Sequence, residues 1–217
     1  MKHFLTRLLR LLLGLFLYAL GIVITMNANI GYAPWDVLHA GISKLSGISI
    51  GNISILTGVI IVIITLLLGE KLGLGTILNM VLIGVLIDLL LWLGIVPVAR
   101  NLFSGLIMDI FGLFIIALGS YFYIDSSFGA GPRDSLMVAL TRKTGLPVGL
   151  CRGSIELFAV LIGWRLGGMI GVGTLLSAFA IGFCVQVTFR LLRFDVTRVE
   201  HETLSGTCTT LFTRRKA

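Results

Sequence analysis

The residues best placed for chemistry lie in two short matching elements, Pro34-Trp35-Asp36 and Pro132-Arg133-Asp134. Proline suits the first helical position, where φ is preset and no amide donor is lost, and an aspartate two residues later falls in the first turn. A re-entrant half-helix beginning here would aim its free amides at an anionic ligand, or its aspartate would hold a proton or cation on a permeation path. The plainer alternative is that Asp36 and Asp134 only stabilise their helix starts. Asp88 stands in the otherwise apolar run Leu82 to Leu91, and Gln186 answers it 98 residues later. An ionisable residue at such depth is a functional candidate, unless it reaches the interface from the run's end. Glu156 follows Arg152 by four residues, so the two share a helix face and read first as a structural ion pair. The candidate substrate or ion pathway is therefore Pro34, Asp36, Asp88, Pro132, Arg133, Asp134, Glu156 and Gln186.

Nothing in the sequence assembles into an enzyme. His3, His39 and His201 lie far apart, no serine or cysteine sits in a nucleophile motif, and no metal-ligand spacing occurs. Cys151, Cys184 and Cys208 are odd in number and scattered, which argues against a disulfide framework and for packing residues. Gly171-Val-Gly173-Thr174 follows no strand and fits no phosphate loop. No catalytic residue, metal or cofactor is expected.

The elements that must position these residues are apolar. With 57% hydrophobic and 12% charged residues, a soluble domain would have too little polar surface to cover itself. Runs at Leu8 to Met26, Ile53 to Gly69, Ile77 to Gly94 and Leu102 to Ile124 approach or reach the ~20 residues that cross a hydrocarbon core of about 30 Å. Leu157 to Gly167 and Gly171 to Phe189 complete a set of six, weakened by the nearby Arg152, Glu156 and Arg165. The net charge of +7 does not point to nucleic acid, because the basic residues fall between the apolar runs and not on one face. With the N-terminus cytoplasmic, only Lys44, Arg100 and Arg165 of the 17 basic residues lie outside, so both termini are expected in the cytoplasm.

The chain also repeats itself. At an offset of 98 residues, Gly14 to Leu90 aligns with Gly112 to Thr188 without a gap, and more than a quarter of the positions are identical. Gly14, Phe16, Ala19 and Gly21 answer Gly112, Phe114, Ala117 and Gly119. Gly31, Pro34, Asp36 and Leu38 answer Gly129, Pro132, Asp134 and Leu136. A basic start and an apolar middle give Met1 to Gly31 the look of a signal peptide, but its internal partner makes it a membrane element. Glycine spacings such as Gly47 to Gly51 and Gly145 to Gly149 suit turns and close helix contacts.

Three spans per unit would bring the second copy into the membrane from the opposite side, the inverted arrangement found in secondary transporters. Were Trp35 to Ser46 and Arg133 to Thr144 full crossings, the repeats would be parallel. Their aspartates, lysines and arginines, at ~2.5 to 3.5 kcal/mol each in the bilayer centre, argue for short helices.

Through Gly31-Tyr32-Ala33-Pro34-Trp35-Asp36-Val37-Leu38 and its weaker second copy, the chain resembles the YczE/YitT group of bacterial integral membrane proteins. The likeness runs from about Leu11 to Phe194. It implies a multispanning protein of the bacterial cell membrane and supplies no substrate. The second copy departs at Arg133, which stands where the first has Trp35 and makes the two sites chemically unequal.

The expected protein is thus an all-α bundle of about six spans, with one membrane repeat at 1–98, a second at 99–194, and a basic polar cytoplasmic tail at 195–217. Its expected partners are the bilayer, a small-molecule or ion substrate, and a second copy of the chain as homo-oligomer. The expected function is transport of a small solute or ion; the alternative is a non-transporting partner that assists or regulates another membrane or biosynthetic complex.

Overall fold

The computed structural model describes residues 2–195, so all of the polar tail except Asp195 lies outside the described residues. Eight helices follow one another there: α1 (Lys2–Asn27), α2 (Pro34–Ser46), α3 (Ile50–Leu67), α4 (Leu74–Leu93), α5 (Leu102–Asp125), α6 (Pro132–Thr144), α7 (Val148–Arg165) and α8 (Val172–Leu191). The bounds of α2, α3 and α4 recur in α6, α7 and α8 at the offset of 98 residues, and α1 and α5 share their end at that offset.

Local chemistry explains the shared bounds. Pro34 and Pro132 open the short helices, and Gly47 and Gly145 close them at φ 73 and 71, a left-handed conformation in which glycine has no Cβ to clash. Thr76 and Thr174 take the amides of Gly73 and Gly171 on their hydroxyls at 3.3 and 3.1 Å, which caps the starts of α4 and α8.

Among the described residues five helices are long and apolar enough to cross a membrane: α1 (from Phe4), α3, α4, α5 and α8. The sixth expected run, in α7, has the 18 residues of α3 but carries Arg152, Glu156 and Arg165, which lower its apolarity. At 1.5 Å per residue the 13-residue α2 and α6 extend only about 20 Å, too short for a hydrocarbon core. The outer surface is apolar, with Phe179 and Leu67 each 82% and Trp92 81% exposed. Water would disfavour such a surface and lipid solvates it. The protein is a helical membrane bundle.

Its core is the seam between α1 and α5, which run antiparallel. Gly14 abuts Gly119 and Tyr123, and Gly21 abuts Gly112 and Ile116. A Cβ on Gly14 would stand 2.6 Å from the Tyr123 amide nitrogen, so only glycine permits this approach. The contacts are reciprocal, because Gly112 and Gly119 are the repeat counterparts of Gly14 and Gly21. The same reciprocity joins the halves elsewhere: the Gly75 amide donates to the Phe128 carbonyl at 2.7 Å, and the Gly173 amide donates to the Ile30 carbonyl at 2.8 Å. Leu11, Leu15, Ala19, Val23, Ala117 and Phe128 are fully buried along or beside the seam.

Candidate functional site

Between the halves lies a cavity of about 290 Å³, lined from all eight helices. The short helices start beside it. Trp35 of α2 and Arg133 of α6, which align at the offset of 98 residues, meet there with the guanidinium carbon 4.8 Å from the indole centroid. The stack covers one guanidinium face, and the N–H groups of Arg133 find no protein acceptor among the described residues. Each helix start adds roughly half a positive charge from its aligned peptides.

Asp134 also lines the cavity. Its Oδ2 accepts from the Tyr123 hydroxyl at 2.9 Å, and that hydroxyl oxygen accepts from the Gly131 amide at 3.1 Å. Tyr123 therefore ties the aspartate to the residue just before its own helix. Across the cavity, Arg152 donates to Glu156 at 2.9 Å within α7, so the expected ion pair is formed, and formed inside the cavity. Two arginines and two carboxylates line this space, and their formal charges cancel.

Asp36 occupies a different setting from Asp134. It is 3% exposed and lies behind the cavity wall, with Oδ1 3.5 Å from Nδ1 of His39. Neither that oxygen nor either ring nitrogen of His39 makes a hydrogen bond within the described residues. His39 itself lines the cavity although it is only 1% exposed.

The eight sequence candidates separate by position. Pro132, Arg133, Asp134 and Glu156 line the cavity. Pro34 and Asp36 are buried in α2 beside it. Asp88 is elsewhere: Ser49 donates its hydroxyl to Oδ2 at 2.5 Å, and the Gly51 amide donates to Oδ1 at 2.8 Å. It therefore caps α3 from α4 and does not line the cavity. Gln186 is exposed on α8, also away from the cavity lining. Sequence reasoning missed Tyr18, Tyr123 and His39 as cavity residues. For His39 the available signal was its place three residues after Asp36 on one helix face. Among the described residues, no group of three or more His, Cys, Asp or Glu could hold a metal ion.

The two sides of the cavity differ. Gly51 of α3 and Gly84 of α4 touch backbone to backbone, and Gly58 packs on Met80. At their counterparts, Gly149 on α7 and Gly182 on α8, a Cβ would meet nothing within 4 Å, and the same holds at Gly153. The cavity lining accordingly extends along Arg152, Glu156, Val185 and Phe189 between these two helices.

Residues 5–190 match a family described as "Family of unknown function (DUF6198)". The chain is 36% identical over 191 residues to the "Uncharacterized membrane protein YczE" of Bacillus subtilis (strain 168), covering 85% of this chain and 88% of that one. It is 33% identical over 182 residues to an "Uncharacterized protein" of Haemophilus influenzae, covering 84% and 83%. With the "Uncharacterized protein YyaS" of Bacillus subtilis it shares 30% over 182 residues, covering 81% and 88%. No solved structure matches it significantly. A matched region that takes in all eight helices, together with these relatives along most of their length, places the chain in the DUF6198 family of YczE-like proteins.

Proposed function

We propose that the protein moves a small polar solute or ion across the bacterial cell membrane through the central cavity. The observation that carries this reading is the meeting of the two short helices at a cavity lined by two arginines and two carboxylates, within a bundle whose outer surface is apolar. Such broken elements, with helix starts turned towards a site between two halves, are how secondary transporters offer polar groups to a ligand in lipid. In this reading α1, α3, α4, α5, α7 and α8 are six spans in two inverted sets, with α2 and α6 re-entrant and both termini cytoplasmic. The antiparallel α1 and α5 and their reciprocal glycine contacts support the inversion. Arg152 and Glu156 make α7 tolerable as a span because they neutralise each other beside the cavity and not against lipid.

Arg133 and Asp134 are the proposed binding groups, one with unfilled donors and the other with one oxygen left for a ligand. The test is solute-induced charge movement or tracer uptake in proteoliposomes, screened with inorganic ions, amino acids and small organic acids. Arg133→Gln and Asp134→Asn are expected to abolish the response of an active solute while the protein stays inserted and monodisperse. A wild-type protein inert to the whole panel, recovered from cells with a stoichiometric partner, would favour the non-transporting alternative.

A further inference from the structure

We infer that the cavity has two gates, the α3–α4 seam and the α7–α8 seam, which close in turn, and that Asp88 latches the one now shut. This rests on the transport reading above and names what regulates access to its site.

On the shut side, Gly51 and Gly84 touch through their backbones, and Asp88 ties α4 to the first turn of α3 through Ser49 and Gly51. On the other side, the corresponding Gly149 and Gly182 stand apart. Both pairs keep the glycines that close approach requires, although only one pair uses them in this conformation. The seam residues are also matched in size: where Gly58 packs on Met80, the residues aligned with them at the offset of 98 are the large Glu156 and the small Ala178. The α7–α8 seam can therefore close with Glu156 filling the place that Met80 takes on the shut side.

The latches are unequal. Gln186 stands where Asp88 does, and Pro147 where Ser49 does. Gln186 can offer one neutral carbonyl oxygen to the Gly149 amide, and Pro147 has no hydroxyl to give. The α3–α4 gate thus has a charged carboxylate with two donors, against one neutral acceptor with one donor. This explains which seam stands open. Because α1 and α5 form the shared antiparallel seam between the halves, opening one gate and closing the other needs only that α2–α4 and α6–α8 exchange their arrangements around it.

The test needs no substrate. Gly153→Cys and Gly182→Cys are introduced together, in a chain in which Cys151, Cys184 and Cys208 are replaced by alanine. Their counterparts Ile55 and Gly84 are in contact across the shut seam, whereas a Cβ at Gly153 or Gly182 now meets nothing within 4 Å, so closing α7 on α8 brings this pair within disulfide reach. Copper phenanthroline is expected to cross-link the pair within one chain in a minor fraction of molecules. Asp88→Asn, and separately Ser49→Ala, are expected to raise that fraction several-fold by weakening the opposing latch. Ser49→Ala is the milder variant and guards against misfolding by Asp88→Asn. A pair that stays unlinked in all three backgrounds overturns the inference, as does linkage only between two chains, which would make the opening a contact between copies. Flux in liposomes without the intrachain link sinks the gate and leaves the transport reading intact. The link without flux supports the gate and counts against transport.

Discussion

Trp35 and Arg133 align at the offset of 98 residues, and they touch, with the guanidinium carbon 4.8 Å from the indole centroid. One copy of the motif supplies the aromatic face and the other the cation, so the departure that makes the two copies unequal also joins them. Tryptophan in both copies would lack the charge, and arginine in both would set two cations against each other. Contacts of this kind contribute about 0.5 to 2 kcal/mol, towards the upper end when water is excluded. Trp35→Ala is expected to lower the thermal midpoint in detergent by more than Trp35→Phe, which keeps an aromatic face. Equal losses would show that volume and not the ring's charge distribution matters.

The matched glycines allow a paired measurement. Gly51→Ala places a methyl against the Gly84 carbonyl and the Asp88 carboxylate, and overpacking of that kind costs roughly 1 to 3 kcal/mol. Gly149→Ala meets open space and, in a helix, gains roughly 0.5 to 1 kcal/mol from the better propensity of alanine. Unfolding followed by circular dichroism should separate the two variants in opposite directions. Equal effects would contradict the difference between the two seams.

Tyr123→Phe removes the hydroxyl that connects the Gly131 amide to Asp134. A buried amide left without a partner costs about 1 to 3 kcal/mol. The expected result is a destabilised protein in which the start of α6 exchanges its amide hydrogens faster than the start of α2. Unchanged exchange at Gly131 would mean that another group satisfies that amide.

Sidedness follows from the inverted reading. Single cysteines at the exposed counterparts Leu45 and Lys143, in a chain without the native cysteines, should differ towards an impermeant thiol reagent applied to intact cells. Labelling at Leu45 alone is expected. Labelling at both or neither would remove the inversion.

The features legible in the sequence were those written in local chemistry. Pro34, Pro132, Gly47 and Gly145 bound two short helices because proline and glycine restrict or free the backbone whatever surrounds them, and those helices appear at the expected places. The Arg152–Glu156 pair was equally readable from its spacing of four. What could not be read was contact over long sequence separations. Asp88 is a lone carboxylate in its own run, and only the approach of α3 supplies Ser49 and the Gly51 amide that give it a capping role. Asp36 and Asp134 look alike in the motif but differ in partner: Asp134 accepts from the Tyr123 hydroxyl, whereas the residue aligned with Tyr123 in the first half is Thr25 and the buried Asp36 has His39 beside it.

The seam of α1 and α5 also dictates an order of assembly. The glycine face of α1 packs on Gly112 and Gly119, with Ile116 and Tyr123 beside them, on a helix that the ribosome adds about 98 residues after it. At roughly 5 to 20 residues per second, that is a wait of about 5 to 20 s. During this interval the first helix sits in the bilayer with its most closely packing surface uncovered, and whatever shields that surface competes with α5 for the same glycines.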